Sequence, residues 1–135
     1  MTLTFRCRAE TVPKVRQRLG LELRHQGIDQ DIIDRLVLAT AEACNNAVNH
    51  SECASYVVTV DIDEEMCTIA VTDAGGGFKV PEEFEMPEPH EISRRGLALM
   101  CALIDDVEVT SNGAGTKVTL RQPLSSRRPL SVSLG

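Results

Sequence analysis

Four polar side chains recur at helical spacing within EACNNAVNH, which spans residues 42–50. Glu42, Asn45, Asn46 and Asn49 are three or four residues apart, so a helix would place all four on one face. Asparagine is a poor helix former because its amide competes with the backbone for hydrogen bonds. Helix stability therefore does not explain why three asparagines lie beside a glutamate in this segment.

Two interpretations of this polar stripe remain open on propensity alone. It is either a solvated helix face or a binding surface. Solvated faces are usually rich in Lys, Glu and Arg, yet the chain has no Lys or Arg between Arg35 and Lys79. A carboxylate can take a proton, and an amide oxygen one turn away is a hard ligand suited to magnesium. Glu42 and Asn46 are thus candidates for proton transfer and metal binding.

A glycine-rich turn, DAGGG, begins at Asp73 directly after an apolar, alternating segment. Gly75 and Gly77 permit positive φ and close approach of the backbone to a ligand. Taken alone, such a cluster is explained as well by an ordinary loop. It matches neither a Walker loop nor a good dinucleotide fingerprint.

A third candidate segment is the start of a short apolar helix, where Arg94 and Arg95 precede Gly96. A helix N-terminus with glycine and two arginines is a natural phosphate site, although plain basic helix starts are common. A fourth is the tight turn that leads through Gly115 into Thr116, whose ordinary interpretation is a hairpin turn.

The bulk composition limits the classes of protein to which this chain can belong. The chain has 135 residues, 42% of them hydrophobic and 25% charged, which predicts one globular domain. A net charge of -6 argues against a nucleic-acid partner. The five cysteines are scattered without a CxxC pair, so we expect free thiols in a reducing cytoplasm. No apolar run is long enough to cross a bilayer.

Hydrophobic periodicity predicts an α+β domain with a mostly antiparallel sheet and helices on one face. We expect a domain over residues 1–122 and a flexible tail over residues 123–135, with a long Pro- and Glu-rich loop at about 79–94. The predicted strands are 2–9, 56–62, 66–72, 107–110 and 116–121. The first predicted helix follows an N-cap at Thr11 and ends at about His25, and the others run from about Gln30 to about His50 and from Gly96 to Ile104.

In this order the four segments resemble the Bergerat-type ATP site shared by gyrase, MutL and histidine kinases. Glu42 and Asn46 look like its first motif, and Asp73, Gly75 and Gly77 look like the second. The run from Arg95 to Leu99 is similar to the third, and Gly115-Thr116 to the last. The resemblance implies a two-layer sandwich, with a mostly antiparallel mixed sheet and about three helices on one face.

Within that superfamily the pattern Glu-Ala-x-x-Asn-Ala-x-x-His, from Glu42 to His50, resembles the anti-sigma-factor serine kinases. The similarity extends from Leu3 to Leu120. Two features depart from the family: Ala98 stands where a second glycine is common, and the lid is acidic and Pro-rich. The departures bear on phosphate affinity and on the rate of turnover.

The resemblance implies ATP and Mg²⁺ as cofactors and a role for each matched residue. Glu42 would be the catalytic base, Asn46 would bind Mg²⁺ and nucleotide, and Asp73 would accept a hydrogen bond from adenine. The other implied nucleotide-binding residues are Gly75, Gly77, Arg95, Gly96, Leu97 and Thr116. His50 is expected to stabilise the helix C-terminus.

The family's partners are implied in the same way. The substrate would be an anti-sigma-factor antagonist, phosphorylated on serine or threonine, and the second partner a sigma factor, bound by a cytoplasmic homodimer near Arg16. His25 and His90 do not lie in the context of an autophosphorylated histidine. A nucleotide-dependent regulator without kinase activity is the alternative hypothesis, and a plain ATPase or ATP clamp is a third.

Overall fold

A computed structural model of the chain describes residues 1–50, 54–73, 94–112 and 115–124. The glycine turn with Gly75 and Gly77, the loop over 79–93 and the tail over 125–135 lie outside the described residues. The side chain of His50 and that of Arg94 also lie outside them.

The described elements form a five-stranded sheet and three α-helices. In chain order they are β1 (Thr2–Arg6), a 3-10 turn (Ala9–Thr11), α1 (Val12–His25), α2 (Gln30–His50), β2 (Ser55–Ile62), β3 (Met66–Asp73), α3 (Arg94–Leu103), β4 (Asp106–Asn112) and β5 (Gly115–Pro123). The strands lie in the sheet in the order β1-β2-β3-β5-β4, and every pairing among them is antiparallel. The predicted α+β fold with an antiparallel sheet is confirmed.

The core lies between the sheet and α2, which contacts β3 and β5 while α1 and α3 pack against it. Alternate strand residues such as Val58, Ile69 and Leu120 are fully buried, as the alternating pattern predicts. On α2, Ile33 and Cys44 are buried as predicted. Gly27 has φ +79, so it ends α1 in the left-handed conformation that favours glycine. None of the described helices is both long and apolar enough to cross a bilayer.

Several boundaries differ from the sequence-based expectation by one to three residues. The first strand ends at Arg6 because the chain turns into the 3-10 segment, and α3 already begins at Arg94. Thr11 precedes α1 but does not cap it: its hydroxyl donates to main-chain oxygens or pairs with Tyr56 instead. Leu124 is fully buried and its N–H donates to the oxygen of Glu65 at 2.9 Å, so the fold continues past residue 122.

The third helix is tied to α2 by a single charged side chain. Nη1 of Arg35 donates to the carbonyl oxygen of Leu103 at 3.0 Å, the last residue of α3. A cation at a helix C-terminus satisfies a carbonyl that has no partner within the helix, and it interacts favourably with the helix dipole. The same guanidinium lies 3.8 Å from the exposed carboxylate of Asp31.

We expect Arg35→Ala to lower the free energy of unfolding by about 1 kcal/mol, because it removes a charged hydrogen bond that is only partly exposed. Asp31→Asn is the matched control. It breaks an exposed ion pair and should change stability by about 0.5 kcal/mol or less. Urea denaturation measures both variants. Equal losses would show that Arg35 does not hold α3 in place.

The first helix, α2 and the sheet meet at Tyr56, which is fully buried. Its hydroxyl lies 2.6 Å from that of Thr11 at the start of α1, its ring stacks on Phe5, and the Cys44 thiol is in hydrogen-bonding contact with it. Burial raises the pKa of Tyr56 from 10.0 to about 12. Burial likewise raises the pKa of Cys44 and of Cys67 from 9.0 to about 12.

Stability should therefore fall as the pH rises above about 9. Between 9 and 12 the unfolded chain has released protons that the folded chain still holds at Cys44 and Cys67, and above 10 the same applies to Tyr56. Fewer protons on the unfolded state give a negative slope of stability with pH, of up to about 1.4 kcal/mol per pH unit for each group. Urea unfolding between about pH 7 and pH 10.5 tests this.

Alkylation at about pH 8 provides an independent control, since only the thiolate reacts. Iodoacetamide should modify the exposed Cys101 much faster than the buried Cys44 and Cys67. Peptide mass spectrometry separates the three sites. Rapid modification of Cys44 in the folded protein would contradict the assigned burial and the direction of its pKa.

Candidate functional site

The polar stripe on α2 passes from the core to the surface. Asn46 is only 8% exposed, Glu42 and Asn45 are half-buried, and Asn49 is exposed. A helix face made for water alone would keep its amides in water, because burying an amide costs free energy unless it is hydrogen-bonded. The stripe is therefore not uniformly solvated. It enters the interior at Asn46, one turn beyond Glu42.

Asp73 is a buried carboxylate at the end of β3. It is 8% exposed and stands directly opposite Tyr56 in the β2–β3 register. Directly opposed residues in an antiparallel pair point to the same face of the sheet. Cys67, Ile69 and Val71, at alternate positions of β3, are buried on that face. Asp73 therefore points into the helix-covered side of the sheet.

Thr116 holds Asp73 through its backbone rather than its side chain. The Thr116 N–H donates to Oδ1 of Asp73 at 3.3 Å. The Thr116 hydroxyl lies 2.9 Å from that of Ser111, its partner on β4. The resemblance implied that Thr116 would either support Asp73 or reach the adenine through water, and the structure places its backbone N–H beside the Asp73 carboxylate. The turn over 113–114 lies outside the described residues.

The start of α3 presents a mixed surface. Arg95 is exposed, Gly96 is buried, and Leu97 is 36% exposed. Arg95 and Gly96 both lie in the first helical turn, where backbone N–H groups have no acceptor within the helix. Because α3 packs against α2, this basic turn belongs to the same helical layer as the polar stripe.

A chain of contacts places Asp73 at the same end of the fold as the polar stripe. Asp73 is paired with Tyr56, and the Tyr56 hydroxyl contacts the thiol of Cys44. Cys44 precedes Asn46 by two residues on α2, and both are buried. The C-terminal half of α2 thus packs over the part of the sheet that carries Asp73.

Arg16 does not belong to this cluster. It lies on α1 and lines a groove with the N-terminal half of α2, up to Leu38. The fold therefore separates the proposed partner-binding arginine from the residues of the candidate nucleotide site.

The set of available ligands fits a metal that arrives with its substrate. Among the described residues, no three His, Cys, Asp or Glu side chains are placed to hold an ion. Mg²⁺ commonly takes one or two protein oxygens, with substrate phosphates and water completing its shell. The amide of Asn46 can supply one such oxygen, so Asn46 fits Mg²⁺ bound together with phosphates.

Sequence reasoning missed two residues that shape the site. Tyr56, the single tyrosine of the chain, links Asp73 to α2, and Ser111 pairs with the Thr116 hydroxyl. Tyr56 stands at the start of a β-branched run, which indicates a strand but not its register. The register of β2 against β3 is what brings Tyr56 opposite Asp73.

Comparison with known proteins identifies the family. Residues 5–122 match the model of the histidine kinase-like ATPase domain. The serine-protein kinase RsbW of Bacillus pumilus is 30% identical, with 88% of this chain and 82% of that protein covered. RsbW of Bacillus subtilis is 27% identical over the same shares of the two chains.

Solved structures agree on the fold. The RsbU and RsbW domains of a Mycobacterium tuberculosis protein superpose with a TM-score of 0.71 at 23% identity, over 92% of this chain and 32% of that longer chain. The histidine kinase domain of a blue-light activated kinase from Erythrobacter litoralis gives 0.53 at 26% identity, over 76% of this chain and 49% of that chain. Together with the family match over residues 5–122 and the curated relatives, this shows that the chain belongs to the histidine kinase-like ATPases, in their branch of anti-sigma-factor serine kinases.

Proposed function

We propose that this protein is an ATP-dependent serine/threonine kinase that phosphorylates an anti-sigma-factor antagonist and also binds a sigma factor. The observation that carries the proposal is the buried carboxylate of Asp73, held by the Thr116 amide at the end of the fold where the polar stripe enters the core. The relatives named serine-protein kinase support the same activity.

In this proposal Asp73 makes the nucleotide site selective for adenine over guanine. A carboxylate only accepts hydrogen bonds, so it pairs with the exocyclic amino group of adenine and repels the carbonyl oxygen that guanine presents there. The hydrogen bond from Thr116 fixes the orientation of the carboxyl plane. Gly75 and Gly77, which follow Asp73 in the sequence, would leave room for the nucleotide.

The phosphates lie toward α3 in this arrangement. The first turn of α3 carries Arg95, and both this side chain and the positive end of the helix dipole favour anions. Gly96 and Leu97 supply backbone in the same turn. The amide oxygen of Asn46 would hold Mg²⁺, and the bound ion would supply positive charge that stabilises phosphoryl transfer.

Glu42 acts on the acceptor hydroxyl. The serine or threonine oxygen attacks the γ-phosphorus, a new O–P bond forms, and the bond to the β-phosphate oxygen breaks to release ADP. The hydroxyl proton passes to the Glu42 carboxylate, which is half-buried one turn before Asn46. Positioning and charge stabilisation supply most of the catalysis in such transfers.

Partner binding completes the proposed function. A sigma factor is bound by a cytoplasmic homodimer of the chain, with Arg16 as a contact. Arg16 is exposed on α1, away from Glu42 and Asp73, so a partner can bind there without covering the nucleotide.

Asp73→Asn should weaken ATP binding by about a hundredfold or more. The side-chain oxygen of the variant amide can still accept the hydrogen bond from the Thr116 N–H, so we expect the fold to be kept. The substitution removes the negative charge at this position and weakens the hydrogen bond with the adenine amino group. Isothermal titration with Mg-ATP measures the effect. Asp106→Asn, at an exposed carboxylate on β4, is the matched control and should bind as the wild type does. Unchanged affinity in Asp73→Asn would remove Asp73 from the site.

Glu42→Gln should keep ATP binding and lower phosphate transfer by about a hundredfold, because an uncharged amide cannot take the hydroxyl proton. The assay follows phosphoserine and phosphothreonine on a candidate antagonist by mass spectrometry. Glu22→Gln, at a half-buried carboxylate of α1 outside the candidate site, is the control and should transfer phosphate normally. If the wild-type protein yields no phosphorylated antagonist with Mg-ATP, the protein is a nucleotide-dependent regulator that only binds its partners.

A further inference from the structure

The hydroxyl of Tyr56 contacts two parts of the helical layer at once. It lies 2.6 Å from the Thr11 hydroxyl at the start of α1, and it is in hydrogen-bonding contact with the Cys44 thiol on α2. All three side chains are buried. The Thr11 hydroxyl also lies 3.1 and 2.7 Å from two main-chain oxygens of the segment between β1 and α1. The contact with Cys44 is therefore the one that extends from the sheet to the helix of the polar stripe.

Cys44 lies midway between Glu42 and Asn46 on α2. Two residues along an α-helix correspond to a rotation of about 200°, so the thiol points away from the side of the helix that carries the stripe. Cys44 is fully buried in the core between α2 and the sheet. A directional contact at Cys44 therefore restrains the rotation of α2, and its height above the sheet, at the level of the stripe.

The neighbours of Cys44 on α2 do not supply such a restraint. Ala43 and Ala47 are buried beside it, but their side chains are small and apolar contacts have no preferred direction. Thr40, one turn earlier on the same side of the helix, is also fully buried. Within the described residues its hydroxyl has no hydrogen-bond partner. The hydroxyl of Tyr56 thus gives this part of α2 a polar restraint that these neighbours do not.

The backbone of Tyr56 is tied to the other half of the candidate site. Tyr56 stands directly opposite Asp73 in the β2–β3 register, where paired side chains begin about 5 Å apart on the same face of the sheet. One buried side chain therefore extends from the strand position beside the candidate adenine ligand to the helix that carries the candidate base and metal ligand.

We propose that Tyr56 is a positioning residue for phosphoryl transfer. Its hydroxyl sets where Glu42 and Asn46 lie relative to a nucleotide bound at Asp73, and Tyr56 itself contacts neither the acceptor nor the metal. The inference rests on the proposed function, which gives these three residues their roles. Because a misplacement of about 1 Å can cost about a hundredfold in rate, one lost hydrogen bond behind the helix is enough to lower turnover.

Tyr56→Phe tests this inference, because it removes the hydroxyl and keeps the ring that stacks on Phe5. We expect kcat for the antagonist and the affinity for Mg-ATP each to fall by about tenfold. The affinity for ADP in EDTA should stay within about twofold, since ADP without metal engages Asp73 but not Asn46. Steady-state kinetics and isothermal titration measure the three quantities. Equal losses for the two nucleotides, or no loss for either, would overturn the proposal.

Two matched variants separate positioning from stability. Thr11→Val removes the other partner of the Tyr56 hydroxyl, so it should lower the urea midpoint while phosphate transfer stays within about twofold. Thr40→Val removes a buried hydroxyl of α2 that makes no hydrogen bond, and it should transfer phosphate as the wild type does. A loss of transfer in Thr11→Val as large as that in Tyr56→Phe would assign the network to stability alone and contradict the proposal.

Substitutions of Cys44 test the partner on α2. Cys44→Ala should reproduce the effect of Tyr56→Phe, whereas Cys44→Ser keeps a group that can bond the tyrosine hydroxyl and should retain most of the transfer rate. Combining Tyr56→Phe with Cys44→Ala should lose no more than either change alone, because both remove the same contact. Additive losses would show that the two residues act independently and would overturn the proposal.

Hydrogen exchange of the nucleotide-free protein gives a readout that does not depend on activity. Backbone amides of residues 42–49 should exchange about tenfold faster in Tyr56→Phe and at the wild-type rate in Thr40→Val. Unchanged exchange in Tyr56→Phe would contradict the proposal. Wild-type protein that binds Mg-ATP but transfers no phosphate would contradict the kinase function alone, and the exchange rates and the two nucleotide affinities would still decide the role of Tyr56.

Discussion

The register of one hairpin decides where the buried carboxylate of Asp73 points. A shift of one residue between β2 and β3 would move every side chain of β3 to the other face and place Asp73 outside the helical layer. The turn between these strands fixes the register: Oδ1 of Asp63 accepts from the N–H groups of Glu65 and Met66 at 2.7 and 2.8 Å. A short acidic turn at one end of the hairpin thus positions the candidate adenine ligand at the other end.

The two halves of helix α2 contribute to different parts of the molecule. Its C-terminal half enters the core at Asn46 and presents Glu42 beside it, while its N-terminal half forms one wall of the groove against α1. Arg35 lies in the N-terminal half and contacts the C-terminus of α3, whose other end carries the basic first turn. One continuous helix therefore sets the positions of the candidate catalytic residue and of the third helix.

Much of the fold followed from local patterns in the sequence. Period-two alternation gave β2 and β3, and the bounds predicted for α2 agree with the structure because its apolar residues recur at helical spacing up to His50. The sequence did not predict how Thr11 would bond, because a capping hydroxyl and one directed at a distant tyrosine have the same local signature. Leu124 was missed for a related reason: its burial depends on the backbone of Glu65, which is remote in sequence.

The candidate site was predictable to a similar degree. Its members were found because each has a short-range signature, such as an acid and an amide one turn apart, or an acid before glycines. Their convergence depends on strand pairing and helix packing, which only the structure shows.

A crystal structure of the protein with Mg²⁺ and a non-hydrolysable ATP analogue tests the central claim most directly. The account predicts the adenine amino group at about 3 Å from the Asp73 carboxylate, with the phosphates between Asn46 and the first turn of α3. A nucleotide bound elsewhere, for example between α1 and α2, or an adenine that makes no contact with Asp73, would contradict it.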